Sequence, residues 1–173
     1  MTEGLRLRPV AESDLDPLDE MFADPAAIGE FNWGGFAGGA LVWRRRFAEN
    51  GLLADDKTVL MIDLDGEALG FVSWFRVPTS NAAYVIEFGI SLWPDARGKG
   101  HGTAAQLLLA RYLFAHTPIN RIQAVTEVEN LAEQRALEKA GFTREAVMKG
   151  RCFRDGAWRD EVLYRMLRDE LPA

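Results

Sequence analysis

Hydrophobic and polar positions along the chain change their period several times, and each change marks an element. Leu5 and Leu7 alternate with polar neighbours before Pro9, which predicts a short strand. Ser13, followed by Asp14, Leu15, Asp16 and Pro17, reads as a capped, acid-rich helix start, and that helix should run to Ala23, before Asp24-Pro25. Between Ile28 and Gly39, the glycines Gly29, Gly34, Gly35, Gly38 and Gly39 surround Phe31, Trp33 and Phe36. So much glycine disfavours a helix or strand interior, and the segment is expected to be a loop carrying large aromatic side chains. A second helix is predicted over Ala40 to Asn50, stopped by Gly51.

From Thr58 the period shortens. Thr58 to Ile62 and Leu69 to Phe75 are runs of strand formers separated by Asp65-Gly66, a hairpin signal. A third run, Tyr84 to Leu92, follows a polar turn over Pro78 to Asn81, carries one carboxylate, Glu87, and is ended by Pro94. Helical spacing returns after Gly102, where Ala104, Leu107, Leu108, Arg111, Tyr112 and Ala115 suggest a buried stripe that lasts until Pro118. Ile122 to Thr126 reads as a strand. Asn130 with Glu133 is a capping arrangement for a helix ending at Gly141. Two last strands, Glu145 to Phe153 and Trp158 to Met166, are joined by Asp155-Gly156. The order β-α-α-β-β-β-α-β-α-β-β predicts one mixed α/β (α+β) domain spanning residues 1–173, without linker or repeat.

Composition narrows the chemistry. In 173 residues, 48% are apolar and 27% charged, the profile of a chain that folds on its own. Acids outnumber bases 26 to 20, for a net charge of −6, which argues against a dedicated nucleic-acid binder. Cys152 is the one cysteine, so no internal disulfide or thiolate metal cage can form, and His101 and His116 lack metal-ligand spacing. No metal is expected. Residues Met1 to Arg8 carry Glu3, Arg6 and Arg8 without an apolar core, and the most apolar stretch, Ala104 to Ala115, is interrupted by Gln106 and Arg111. The expectation is a soluble, cytoplasmic protein with no membrane partner.

The most informative stretch is Arg97-Gly98-Lys99-Gly100-His101-Gly102-Thr103, between a strand and a helix start. Unpaired backbone N–H groups, the helix dipole and glycines that permit close approach make such a junction an anion site. A phosphate-binding P-loop is excluded because Lys99 is followed by Gly100 and Trp93 stands where the first glycine belongs. The dinucleotide pattern GxGxxG begun at Gly98 fails at Thr103. The pattern that matches is RxxGxG, preceded by Leu92-Trp93-Pro94.

This loop resembles the pyrophosphate loop of the GNAT superfamily of acyl-CoA-dependent N-acyltransferases. Asn130 to Phe142, with its Glu138-Lys139-Ala140-Gly141-Phe142 ending, is similar to that superfamily's second helix signature. Gly150-Arg151, Asp155 to Asp160 and Tyr164 are similar to the closing hairpin of the branch containing the Rim-type ribosomal-protein N-terminal acetyltransferases. The three blocks stand in that branch's order, and the resemblance is weakest from Ala11 to Gly51.

The resemblance implies a GNAT-like domain: a mainly antiparallel mixed sheet with a splay between two parallel strands, flanked by helices. It also implies an N-acetyltransferase in which a neutral amine attacks acetyl-CoA directly. Ile90 and Leu92 would pair with the pantetheine arm, with the Ile90 N–H as oxyanion donor. Arg97, Gly98, Lys99, Gly100, His101 and Gly102 would hold the cofactor phosphates, and Asn130 would serve both as helix cap and as pantetheine contact. His101 is expected to be solvated or to lie beside phosphate rather than to catalyse.

Glu87 is the expected general base, since a free amine is mostly protonated at neutral pH. The competing reading is that it points to solvent or forms a surface ion pair with Arg76. Phe31, Trp33 and Phe36 would wall the amine pocket, or would close the core. Relatives often carry Ser where Glu133 stands or Tyr where Leu137 stands, each proposed to protonate the leaving thiolate; this chain has neither. Solvent protonation or another acid, with Tyr164 and Cys152 as candidates, is left, and Cys152 also reads as a buried filler.

Two acceptor classes fit. A small-molecule amine, such as an amino acid, a polyamine or an aminoglycoside-like compound, is preferred over a protein N-terminus, because an acidic chain suits ribosomal RNA surfaces poorly. A non-catalytic CoA-binding module is the reading of a different class. A homodimer is expected by analogy. Charge supports two unlike substrates: 7 bases and 16 acids precede Arg97, whereas 13 bases and 10 acids follow from it onward.

Overall fold

Val59, Leu60, Met61 and Ile62 are consecutive and all buried, a pattern that only a strand covered on both faces produces. The computed structural model of the chain describes residues 3–36, 39–54 and 57–172, and places this run on an inner strand, second from one edge, of a seven-stranded sheet. Its strands are β1 (Leu5–Pro9), β2 (Thr58–Leu64), β3 (Glu67–Ser80), β4 (Ala83–Leu92), β5 (Arg121–Glu127), β6 (Thr143–Arg154) and β7 (Ala157–Leu167), in the spatial order β1-β2-β3-β4-β5-β7-β6. All neighbours are antiparallel except β4 and β5.

The helices are α1 (Leu15–Ala23), α2 (Pro25–Ile28), α3 (Gly39–Asn50), α4 (His101–His116) and α5 (Leu131–Lys139). They divide between the two faces of the sheet. Leu60, Ile62, Val72, Ile86, Phe88, Ile122 and Tyr164 pack with α4 and α5 residues such as Leu109, Leu113 and Leu137. Val59, Met61 and Phe71, the alternate positions, pack with Leu15, Leu18 and Met21 of α1 and Ile28 of α2. Among the described residues no helix is long and apolar enough to cross a membrane.

The hairpin turns form as their sequence predicts. Asp65 and Gly66 have φ of 52° and 96°, and Asp155 and Gly156 of 50° and 74°, the paired positive values of tight Asp-Gly turns. Four expectations are corrected. The turn expected over Pro78 to Asn81 is shorter, because β3 continues to Ser80 with a register shift between Pro78 and Ser80. Gly39 begins α3 rather than closing the loop, and Gly38 lies outside the described residues. The buried stripe of α4 is rotated by one residue: Ala105, Gln106, Leu109, Ala110, Leu113 and Phe114 are buried, whereas Tyr112 is 42% exposed. That helix is apolar nearly all round, so spacing alone does not choose its inner face.

Ser13 does not cap α1. It sits inside a 3-10 turn (Glu12–Asp14), and the carboxylate of Asp14 reaches back to accept from the Ala11 N–H at 2.8 Å. Asp14 is buried because Arg8 bridges it to the equally buried Asp63, which also accepts from Arg6 and from the Gly66 N–H. The chain Asp63-Arg8-Asp14 thereby ties the β1–β2 ladder to the start of α1. The Arg8 guanidinium holds Asp63 down to about 2. A carboxylate lowered in the folded state adds stability above its ordinary range, near 3.8, that disappears as pH falls towards 2. Asp63→Asn is therefore expected to lower the melting temperature at pH 7, with the gap from wild type closing at about pH 2. A gap that persists in acid would assign the loss to packing instead.

Candidate active site

The parallel register between β4 and β5 covers only Ile86, Glu87 and Phe88 against Ile122, Gln123 and Ala124. Beyond Phe88 and Ala124 each strand stays paired on its far side, β4 with β3 and β5 with β7, so the two edges diverge. The backbone pattern shows which groups face the gap. Trp93 donates its N–H to Leu69 O at 2.9 Å, which makes this a hydrogen-bonded pair of the β3–β4 ladder. Alternation then directs the backbone groups of Ser91 and Gly89 towards β3 and those of Ile90 and Leu92 towards the gap. A donor at Ile90 is therefore left for a ligand between the strands.

A cleft of about 510 Å³ opens at this splay. It is lined by the glycine loop, with Arg97, Gly98, Gly100, Gly102 and Thr103, and by Ile28 to Asn32, which begins beside that loop, where Arg97 reaches Ala27 O and Gly29. The floor carries Ile90, Ser91 and Leu92, and α5 contributes Asn130 at its cap, then Ala132, Glu133, Arg135, Ala136 and Lys139. Gly98 and Gly100 have φ of 72° and 84°, and a Cβ on either would meet no protein atom within 4 Å. Those glycines serve the backbone turn and the open space, not the packing of the protein. With the start of α4 following them and Arg135 and Lys139 lining the same cleft, the residues present suit a pyrophosphate.

The side chains expected at this site separate into groups. Arg97 lines the cleft, but its guanidinium is committed to backbone carbonyls, donating from Nε to Leu92 O at 2.9 Å and from a terminal nitrogen to Ala27 O. It staples the loop to the end of α2 as well as adding charge. Asn130 accepts from the Glu133 N–H at 3.3 Å and donates to Thr126 Oγ1 at 2.9 Å, so it is a true helix cap whose two polar atoms are both engaged. Lys99 does not line the cleft. His101 is not solvated: its ring is buried at the first turn of α4, and Nδ1 has no partner among the described residues. The left-handed Gly100 before it rotates that side chain inward.

Trp33 and Phe36 are not brought into the cleft. They meet edge to face at 4.9 Å, with Phe36 85% exposed, and Trp33 packs beside the α1 core. Phe31 and Asn32 take the wall position, with Asn32 donating to Ser91 Oγ at 3.2 Å and Phe31 lying 5.4 Å under the Arg154 guanidinium. Tyr164 is fully buried, donates to Glu138 Oε1 at 2.8 Å and is pushed up to about 12 by burial and that carboxylate. Cys152 is partly buried on β6, and burial pushes its thiol up. Neither lines the cleft.

Glu87 lies on the sheet face that α1 to α3 leave uncovered, one ladder position beyond the splay. It accepts from Gln123 Nε2 at 2.8 Å, and Arg151 of β6 approaches to 3.9 Å. Arg151 is thus an ion-pair partner of Glu87, and Arg76 stacks on Tyr84. It does not touch the cleft as lined here, although Gly89 and Ser91 on the same strand face lead from it to the cleft floor.

In the sequence Glu133 reads as a capping residue, at a position where relatives often carry Ser. In the fold it lines the cleft, accepts from the buried Gln106 Nε2 at 2.7 Å and is pushed up to about 8 by burial, against the opposing effect of that hydrogen bond. Arg135 and Lys139 were also overlooked. Their signal was present, since Ala132, Arg135, Ala136 and Lys139 repeat at helical spacing and form the cleft-facing stripe of α5. Among the described residues no group of three or more His, Cys, Asp or Glu side chains could hold a metal ion.

Comparison with known proteins adds four observations. A family profile described as the Acetyltransferase (GNAT) domain matches residues 4–143. A protein of Bacillus subtilis named probable N-acetyltransferase YjcK is 32% identical over 103 residues, 60% of this chain, and the match spans 56% of that relative's length. Among solved structures, RimJ of Mycobacterium smegmatis, in complex with CoA-disulfide, superposes with a TM-score of 0.80 at 26% identity, covering 98% of this chain and 84% of the other. Spermidine N-acetyltransferase of Vibrio cholerae, in complex with CoA and spermine, gives 0.84 at 18% identity over 97% and 98%, a likeness of fold.

Proposed function

The chain belongs to the GNAT acetyltransferase family, whose members use acetyl-CoA, and from that premise we propose that it acetylates the primary amine of a small molecule, such as an amino acid, a polyamine or an aminoglycoside-like compound. The observation that carries the transfer is the splay itself. It leaves the Ile90 N–H unpaired at the floor of a cleft lined by the glycine loop, by Arg135 and Lys139, and by Glu30, Phe31 and Asn32. In this reading acetyl-CoA phosphates sit on Gly98 to Gly102 with Arg135 and Lys139, and the thioester carbonyl receives the Ile90 N–H. That donor is worth the most where charge develops on oxygen, about 3 to 4 kcal/mol in comparable sites.

Glu87 accepts the proton released by the attacking amine, directly or through water, while Gln123 and Arg151 hold its carboxylate. Glu87→Gln is expected to lower turnover roughly 100-fold at low pH, where most amine is protonated, and less at high pH, with acetyl-CoA affinity unchanged. Turnover that is unaltered across the pH range would remove Glu87 from the reaction.

A small amine is preferred because the chain is acidic overall and Glu30 lines the cleft, where it can receive a cation. The 26% identity to RimJ favours a second reading, an α-amine at a protein N-terminus. A thiol-release screen with acetyl-CoA against polyamines, amino acids, aminoglycosides and N-terminal peptides, with mass identification of the product, separates the two. Binding of acetyl-CoA without thiol release for any of them would instead favour a non-catalytic CoA-binding module.

A further inference from the structure

We propose that Glu133 is the general acid of the transfer, delivering a proton from Oε2 to the departing CoA sulfur; this rests on the acetyltransferase reading above. The geometry has three parts. Glu133 lines the same cleft as Ile90, so the group that would receive the oxyanion and the group that would protonate the sulfur face one space. Its Oε1 is tied to Gln106, which is fully buried on α4 and fixes the carboxyl group. Its Oε2 has no partner among the described residues and is not sealed from the cleft. One oxygen is anchored and the other is free to donate.

The protonation state suits the role. Burial holds the carboxyl up to about 8, so it carries its proton at neutral pH. A thiol titrates near 8.5, and an acid matched to its leaving group is the efficient arrangement. The Gln106 amide and the α5 N-terminus both favour the ionised form, and burial opposes them. The charged side chains that share the cleft are Arg97, Arg135, Lys139 and Glu30, and His101 lies on α4 in the turn before Gln106. The alternatives have other engagements: Tyr164 donates to Glu138 away from the cleft, and Cys152 lies on β6.

In the step, the nitrogen–carbon bond has formed and Glu87 or water has taken the amine proton. The carbon–sulfur bond then breaks with its electron pair going to sulfur, the carbonyl re-forms, and the Glu133 proton passes to sulfur. Acetylated amine, CoA thiol and ionised Glu133 result, and Glu133 regains a proton from solvent as Glu87 loses one.

The test compares wild type, Glu133→Gln and Gln106→Leu by pH profile, acetyl-CoA binding and melting, using the same panel of polyamines, amino acids, aminoglycosides and N-terminal peptides. Glu133→Gln should keep its melting and acetyl-CoA binding, lose roughly 10- to 100-fold in kcat at neutral pH and lack the alkaline limb near 8. Gln106→Leu removes a bond that favours the ionised form and the anchor of the carboxyl group, so it should keep a limb but move it to higher pH, with a smaller loss of kcat than Glu133→Gln. Infrared difference spectra of the CoA complex should show a protonated carboxyl band at pH 7 that is absent from Glu133→Gln. A Glu133→Gln enzyme within twofold of wild type, an unmoved limb or a missing band overturns the assignment while leaving the transferase reading intact. A wild type that releases no CoA with any amine overturns the transferase reading and this role with it.

Discussion

Gly70→Ala is expected to abolish folding, a larger effect than any side-chain truncation at the site. Gly70 sits in β3 with φ of 150°, where a Cβ would lie 2.1 Å from Ser91 O and 2.7 Å from Leu92 Cα. Both are backbone atoms of β4 and cannot swing aside. The contact arises at a bulge: Ile62 pairs with Gly70 but Asp63 with Ala68, so Leu69 is an extra residue that pushes β3 onto β4. Moving β4 there would move Ile90 and Leu92, the strand segment that floors the cleft. We expect a loss beyond about 4 kcal/mol, a large share of the ~5–15 kcal/mol available to such a domain, seen as insoluble protein or a collapsed urea transition. Gly66→Ala is the control. Its φ is 96°, yet no atom lies within 4 Å, so only backbone strain of about 1 kcal/mol applies. Equal melting of the two variants would show that the strands are free to part.

Glu127→Ala is expected to cost about 3 kcal/mol and to disturb acceptor binding. Glu127 ends β5 beyond the splay, is 4% exposed, and accepts two hydrogen bonds from Arg154, at 2.6 Å from Nε and 3.0 Å from a terminal nitrogen. Arg154 is itself largely buried and lies against the Phe31 ring. Truncating the acid leaves a guanidinium in a nearly dry site with only the exposed Asp155 as partner, and the cost of such a break is set by the unpaired charge. The pair also fixes a cleft wall, so the KM for the amine should rise while acetyl-CoA affinity holds. In a double-mutant cycle, Glu127→Ala with Arg154→Ala should be less destabilised than Arg154→Ala alone, because no charge is stranded. A loss under 1 kcal/mol by urea denaturation would make the pair an ordinary surface contact.

The absence of Ser at 133 and of Tyr at 137 leaves the reaction short of an acid only while Glu133 is read as a capping residue. Its Cα position belongs to a helix start, and that much is local. Its acidity is set by Gln106, 27 residues away, and by burial that no spacing rule reports. The same division separates Arg97 from Lys99 within one motif. Both are basic residues of the loop, but only Arg97 reaches the Ala27 and Leu92 carbonyls, which come from segments packed against it.

Local rules were enough wherever neighbours in sequence were also neighbours in space. The two Asp-Gly hairpins, the Asn130 cap, the stop at Gly51 and the open glycine loop all rest on backbone angles and hydrogen bonds spanning four residues or fewer, and the sequence determined them. The tertiary structure decided the rest. Which face of α4 is buried, that Phe31 rather than Trp33 or Phe36 walls the cleft, that Gly70 must lack a side chain and that Glu133 keeps a proton all depend on which distant segments are pressed together. A residue's conformational preference is carried by its own bonds, whereas its burial and its electric field are supplied by atoms that only the completed fold brings within a few ångströms.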